Sequence, residues 1–152
     1  MIIDVKAVGI ECFDLLLPYI RKLLDELGEE GDEIEEFDIS RIRKAWKESQ
    51  GAVAFIAYTE NNKIVGIMTV VQAFAVYANG NYGIINEMYV ESQYRSHGVG
   101  RMLIESVIAW GKSKGWSRID VTAPESTKWK RTQQFYERQG FAFSGPKLKI
   151  IL

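Results

Sequence analysis

The chain is poor in the residues from which many sites are built. Among its 152 residues there is one cysteine and one histidine. A lone Cys12 closes no internal disulfide, which favours a reducing compartment. It sits beside Phe13 at the start of an apolar helical stretch, and there it reads as a small buried hydrophobe, not a nucleophile. His97 has no second histidine and no cysteine pair at ligand spacing, so no metal site is expected. No apolar run approaches the ~20 residues that span a bilayer. The opening stretch Met1 to Lys6 lacks a basic segment followed by an apolar core. Neither a membrane segment nor a signal peptide is expected, and the expected location is cytoplasmic. Charge of one sign is not in excess: 19 Lys and Arg against 20 Asp and Glu give a formal net charge of −1. That balance gives no electrostatic case for nucleic-acid binding. A P-loop is absent, and so is an early Gly-x-Gly-x-x-Gly followed by an acidic residue.

What is present is ordinary for a soluble globular chain: 47% hydrophobic and 26% charged residues. The length fits one domain, residues 1–152, with a core of its own. Ile2 to Val8 alternates as an edge strand, and Glu11 to Leu27 places Phe13, Leu16, Leu17, Ile20, Leu23, Leu24 and Leu27 at helical spacing. Pro18 either bends that helix or marks its start. Ser40 is a candidate cap for a second helix, Arg41 to Ser49. Ala52 to Tyr58 and Ile64 to Ala75 read as strands joined by a turn at Glu60 to Lys63. A further turn, Asn79-Gly80-Asn81, leads into a strand, Tyr82 to Val90. A helix over 98–114 stops at Gly115, a strand follows from Ser117 to Thr122, and Lys130 to Gln139 is helical up to Gly140. Phe141 to Phe143 and Lys147 to Leu152 are expected as two closing strands. The whole reads as one mixed α/β domain.

The informative segment lies between Asn86 and Arg101. A strand runs into the turn Arg95-x-x-Gly98-x-Gly100, and a helix then opens with Val99, Met102, Leu103, Val107 and Trp110 on one face. The first turn of a helix has free N–H groups and carries roughly half a positive charge. Glycines at 98 and 100 let a phosphate approach without meeting a Cβ. The turn is expected to hold a pyrophosphate.

The segment resembles the acyl-CoA-binding motif of the GCN5-related N-acetyltransferase (GNAT) superfamily, Arg/Gln-x-x-Gly-x-Gly/Ala. Tyr94 before it and Leu103 after it extend the match. Downstream, Phe135-Tyr136-Glu137-Arg138-Gln139-Gly140-Phe141 looks like a second segment of that family. The resemblance implies a central, mostly antiparallel, twisted sheet of about seven strands, splayed at the cofactor site and flanked by about four helices. It implies acetyl-CoA as acyl donor and a primary amine on a small molecule or peptide as acceptor, with direct attack in a ternary complex. The cofactor would lie against Met88, Tyr89 and Val90 of the strand and against Arg95, Ser96, His97, Gly98, Val99, Gly100 and Arg101 of the turn. His97 is expected at the surface with its N–H toward the pyrophosphate, while Arg101 either adds charge there or faces solvent. A homodimer is left open.

The chemistry needs a neutral amine, a polarised carbonyl and a proton for the departing thiolate. An alkylamine titrates near ~10.4, so neutralising it at pH 7 costs about 4–5 kcal/mol. A carboxylate that takes the proton, directly or through water, offsets this. Glu87 is the candidate base; the plainer reading, an outward strand residue satisfied by solvent, stands beside it. The resemblance implies that backbone N–H groups near Met88 and Val90 polarise the carbonyl. Tyr136 is the candidate acid, since a phenol near ~10 can protonate a thiolate. Many relatives carry an Asn upstream of that tyrosine where this chain has Trp129. Its contact is therefore not carried over, although Ser126 or Thr127 lies close by in sequence.

From Leu23 to Ser40 there is no Lys or Arg, while Asp and Glu crowd the stretch. The family walls its acceptor pocket with this region. Glu29, Glu30 and Glu33 are therefore candidate attractors of a cationic acceptor such as a polyamine, an aminoglycoside or a peptide amine; a solvated acidic loop is the plainer reading. The competing class is a non-catalytic acyl-CoA-binding or sensory module of the same fold.

Overall fold

The computed structural model describes residues 2–28, 37–122 and 129–152. The chain forms two compact units, Met1–Asp120 and Val121–Leu152. The described strands are β1 (Ile3–Val8), β2 (Ala52–Thr59), β3 (Ile64–Ala75), β4 (Gly80–Val90) and β5 (Ile119–Val121), ordered β1-β2-β3-β4-β5 in one sheet. The helices are α1 (Phe13–Leu27), α2 (Ile39–Glu48), α3 (Val99–Lys114) and α4 (Lys130–Arg138). The fold is mixed α/β as expected.

Strands β1 to β4 are antiparallel neighbours. Ser117 N–H donates to the Asn81 carbonyl and Gly83 N–H to the Arg118 carbonyl, at 3.2 and 3.0 Å. These bonds climb both chains together, so β5 runs parallel to β4, the arrangement a helical crossover through α3 serves.

Each face of the sheet carries a helix. On one, Leu16 of α1 packs with Val8, Ala54, Ile56, Ile67 and Tyr89, and Cys12, Tyr19, Ile20 and Leu23 close around them. On the other, Val99, Leu103, Ile104 and Val107 of α3 are buried, and Trp110 meets Phe55 edge-on with centroids 5.9 Å apart. A Cβ on Gly66 would stand 2.9 Å from Val99 Cγ1, so the glycine in β3 is what seats α3 this close.

Several boundaries differ from the expectation. A 3-10 turn, Ile10–Cys12, precedes α1, and Pro18 lies inside the helix, not at its start. Asp38 caps α2 instead of Ser40, its carboxylate accepting from Arg41 N–H at 3.0 Å. Gly115 ends α3 at φ +75°, as a left-handed stop should. The two closing strands do not form: residues 141–152 hold no strand, and the described sheet has five strands, not about seven. Phe143, Leu148, Ile150, Ile151 and Leu152 are exposed. Alternation signals the capacity for a strand, but pairing needs a partner that period alone does not supply.

Candidate active site

Strand β4 is irregular where the candidate base sits. Thr69 of β3 faces Glu87 and Val70 faces Ile85, so Asn86 is an extra residue, a β-bulge. Consecutive residues on β3 point to opposite faces, so Glu87 and Ile85 do too, although they are only two apart. The bulge thus turns Glu87 onto the face shared by Ile67, Tyr89 and α1, while Ile85 stays on the α3 face and Asn86 is exposed. Glu87 is not the outward, solvated strand residue of the plainer reading. Its carboxylate accepts from the Thr69 hydroxyl, and its backbone N–H donates to the same hydroxyl oxygen at 3.1 Å. Burial pushes the Glu87 carboxyl above the usual carboxylate range.

After Val90 the chain makes a 3-10 turn, Ser92–Tyr94, and enters α3 through 95–98. Ser96 has φ 66° and Gly98 has φ 84°, so the turn takes two left-handed residues to reverse into the helix. Gly98 is the N-cap, no side chain caps the helix, and its first turn holds no acidic residue. The N–H groups of that turn are left without helical partners by geometry. A helix N-terminus left in this state is suited to an anion. Gly100 lies within α3 and Val99 is buried under it. His97 is exposed, as expected. Arg101 is directed to Glu105, with Nε donating at 2.9 Å on the helix surface.

Arg95 is engaged by the strand end and by α1. Its Nε donates to the Val90 carbonyl at 2.9 Å and its Nη2 to Glu26 Oε1 at 2.8 Å. Its guanidinium also lies over the Tyr89 ring, 5.3 Å from the centroid. Lys22 reaches Glu91 from the same helix. The strand end and the turn are thereby tied to α1. Met88 and Val90 are half-buried and pair with Met68 and Gly66, while Tyr89 is buried against Tyr19.

Tyr136 belongs to the second unit. It is buried on α4, edge-on to Phe135 and Phe141 at centroid distances of 5.3 and 5.6 Å. Burial pushes its phenol up to about 12. Trp129 stands at the N-cap of α4. Glu29, Glu30, Glu33, Ser126 and Thr127 lie outside the described residues. Thr69 is the residue the sequence reading missed. Its signal was a hydroxyl within the otherwise apolar run Ile64 to Val71. Among the described residues no acidic, His or Cys group is arranged for a metal ion, and no helix is long and apolar enough to cross a membrane.

No curated protein matches the chain in sequence. Solved structures match in fold. An aminoglycoside acetyltransferase from an uncultured soil metagenomic sample has a TM-score of 0.80 at 19% identity, covering 100% of this chain and 99% of its own. A second one from such a sample, solved in complex with sisomicin, has a TM-score of 0.76 at 19% identity, covering 99% of this chain and 95% of its own. A ribosomal-protein-alanine N-acetyltransferase from Brucella melitensis biovar Abortus 2308 has a TM-score of 0.76 at 16% identity, covering 100% of both chains. A family model described as acetyltransferase (GNAT) matches residues 17–141. That span takes in the bulged strand, the glycine turn and the tyrosine helix, and the chain belongs to the acetyltransferase (GNAT) family.

Proposed function

We propose that this protein, acting as one domain over residues 1–152 in the cytoplasm, transfers an acetyl group from acetyl-CoA to a primary amine by direct attack in a ternary complex. The observation that carries the reading is the partly buried Glu87 carboxylate on the strand that leads, through 95–98, into the uncapped N-terminus of α3. Acetyl-CoA supplies the thioester carbonyl that the amine attacks. The N–H groups from Ser96 to Arg101 hold its diphosphate, and backbone N–H groups of Met88 and Val90 receive the pantetheine and polarise the carbonyl. A new C–N bond forms and the C–S bond breaks. Glu87 takes the amine proton, and Tyr136 donates its phenolic proton to the leaving sulfur. A carboxyl shifted upward is a stronger base than an ordinary carboxylate.

The acceptor class is a cationic amine. Its support is the acidic sequence from Asp25 to Asp38, together with aminoglycosides as the molecules named for two matching structures. A thermal-shift panel with acetyl-CoA, ATP and NAD tests the donor, and thiol release with mixed amines tests the reaction. Acetyl-CoA is expected to raise the melting temperature and polycationic amines to release thiol. A shift with ATP alone overturns the donor; binding of acetyl-CoA without thiol release from any amine returns the non-catalytic module.

A further inference from the structure

Thr69 is buried in the middle of β3, at a position where valine would match its shape and leave no polar atom to satisfy. Its hydroxyl both donates to and accepts from one residue. It accepts from the Glu87 backbone N–H at 3.1 Å and donates to the Glu87 carboxylate. That N–H belongs to the bulge, where the ordinary strand ladder is disrupted. One side chain therefore holds both the backbone that turns Glu87 inward and the carboxylate that the turn presents.

The charged neighbours are otherwise engaged. Helix α1 carries Tyr19, Lys22 and Glu26 toward β4. Tyr19 donates to the Ile64 carbonyl, Lys22 pairs with Glu91, and Glu26 pairs with Arg95. On β4 itself, Tyr89 shares the face and lies under the Arg95 guanidinium. On the far face α3 directs Arg101 to Glu105. Among the described residues no salt bridge joins Glu87, and burial is what raises its carboxyl.

We propose that Thr69 is a positioning residue for the acyl transfer: its hydroxyl clamps amide and carboxylate of Glu87, fixing the carboxylate on the α1 face in the orientation that takes the amine proton. The proposal rests on the reading of Glu87 as the base. A glutamate has three free torsions, and without the clamp the carboxylate samples orientations that do not face the amine. Donation from a hydroxyl also favours the ionised form, countering the burial.

The test compares Thr69→Val, Thr69→Ser, Glu87→Gln and the combined Thr69→Val, Glu87→Gln protein, each first shown to melt as a folded chain. Should Thr69→Val fail to fold, Thr69→Ala takes its place. In Thr69→Val, kcat is expected to fall about 10-fold or more, with KM for acetyl-CoA unchanged. The acid limb of the kcat/KM profile should move up by about one pH unit, because a donor to the ionised carboxylate is gone. Thr69→Ser, which keeps the donor, should restore both rate and limb. The combined variant should be no slower than Glu87→Gln alone, the non-additivity of groups that act as a unit. If Glu87→Gln is slow but Thr69→Val keeps the native rate and limb, the positioning role is overturned while the base stands. If Thr69→Val is slow with the limb unmoved, the hydroxyl serves the bulge alone and the proposal is equally overturned. If Glu87→Gln is as fast as the native protein, the base itself falls.

Discussion

Arg95, at the head of the glycine turn, pairs with Glu26 near the end of α1, Nη2 to Oε1 at 2.8 Å, and so spans from the candidate phosphate site to the helix below it. Both partners are more than a third exposed, 43% and 37%. An exposed pair of this kind contributes about 0–1 kcal/mol. The arginine also binds the Val90 carbonyl and covers Tyr89, contacts that a change at Glu26 leaves in place. Glu26→Gln should therefore leave melting temperature and KM for acetyl-CoA almost unmoved. Arg95→Ala removes all three contacts and should raise KM for acetyl-CoA several-fold. Arg95→Lys should not rescue it, because an ammonium cannot reproduce the fork. Native KM in Arg95→Ala would show that the side chain has no part in shaping the turn.

Two glycines of one motif should separate stability from binding. Gly98 has φ 84°, where a Cβ costs roughly 1–2 kcal/mol, so Gly98→Ala should lower the melting temperature. Gly100 lies inside α3, where alanine is the better helix former by roughly 0.5–1 kcal/mol. Gly100→Ala should leave the fold as stable or more so, yet weaken acetyl-CoA binding by placing a methyl in the path of the diphosphate; Gly100→Val should weaken it further. Calorimetric titration beside thermal melts reads the two effects apart. Unchanged affinity in a folded Gly100→Val protein would remove the site from this turn.

Tyr136 should act as an acid that stays protonated far into the alkaline range. Its folded phenol is pushed up to about 12 by burial, against about 10 in the unfolded chain. The sign follows: the folded state holds the proton more tightly, so the stability tied to it is intact below pH 10 and is lost as pH rises from 10 through 12. Tyr136→Phe should lower kcat about 10²-fold while sparing acetyl-CoA affinity, and its melting curve should lose less than the native protein's over that alkaline window. An alkaline limb of the rate below pH 10 belongs to another group. Full activity in Tyr136→Phe would mean that water protonates the sulfur.

The turn and the helix after it were legible because Gly98 supplies the left-handed residue the turn needs and the apolar face of α3 announces the helix. The orientation of Glu87 was not legible. Strict alternation puts it on the face of Ile85, and only the cross-strand register, with Asn86 inserted, turns it toward α1. Register is a property of two strands, and Thr69 lies on the other one. The cap of α2 failed more narrowly: Asp38 and Ser40 are both good caps, and the choice between them rests on where the backbone leaves the extended region. The closing strands, expected at Phe141 to Phe143 and Lys147 to Leu152, do not form; a short apolar stretch signals the capacity for a strand without naming a partner.

The acceptor is where charge should be decisive. From Asp25 to Asp38 the sequence carries acidic residues and no basic ones. If these carboxylates draw a polycation, the attraction is that of exposed charges, screened over about 8 Å at physiological ionic strength. KM for an aminoglycoside or polyamine should then rise with added salt, while KM for acetyl-CoA stays nearly constant, since the diphosphate is bound by fixed backbone N–H groups at short range. Changing Glu29, Glu30 and Glu33 together to Gln should raise KM for the polycation at low salt and flatten its salt dependence, with kcat little altered. Steady-state kinetics at two salt concentrations with both proteins gives the comparison. A neutral or acidic amine as the best acceptor, or a salt dependence that survives the triple change, would show that the acidic stretch does not select the substrate.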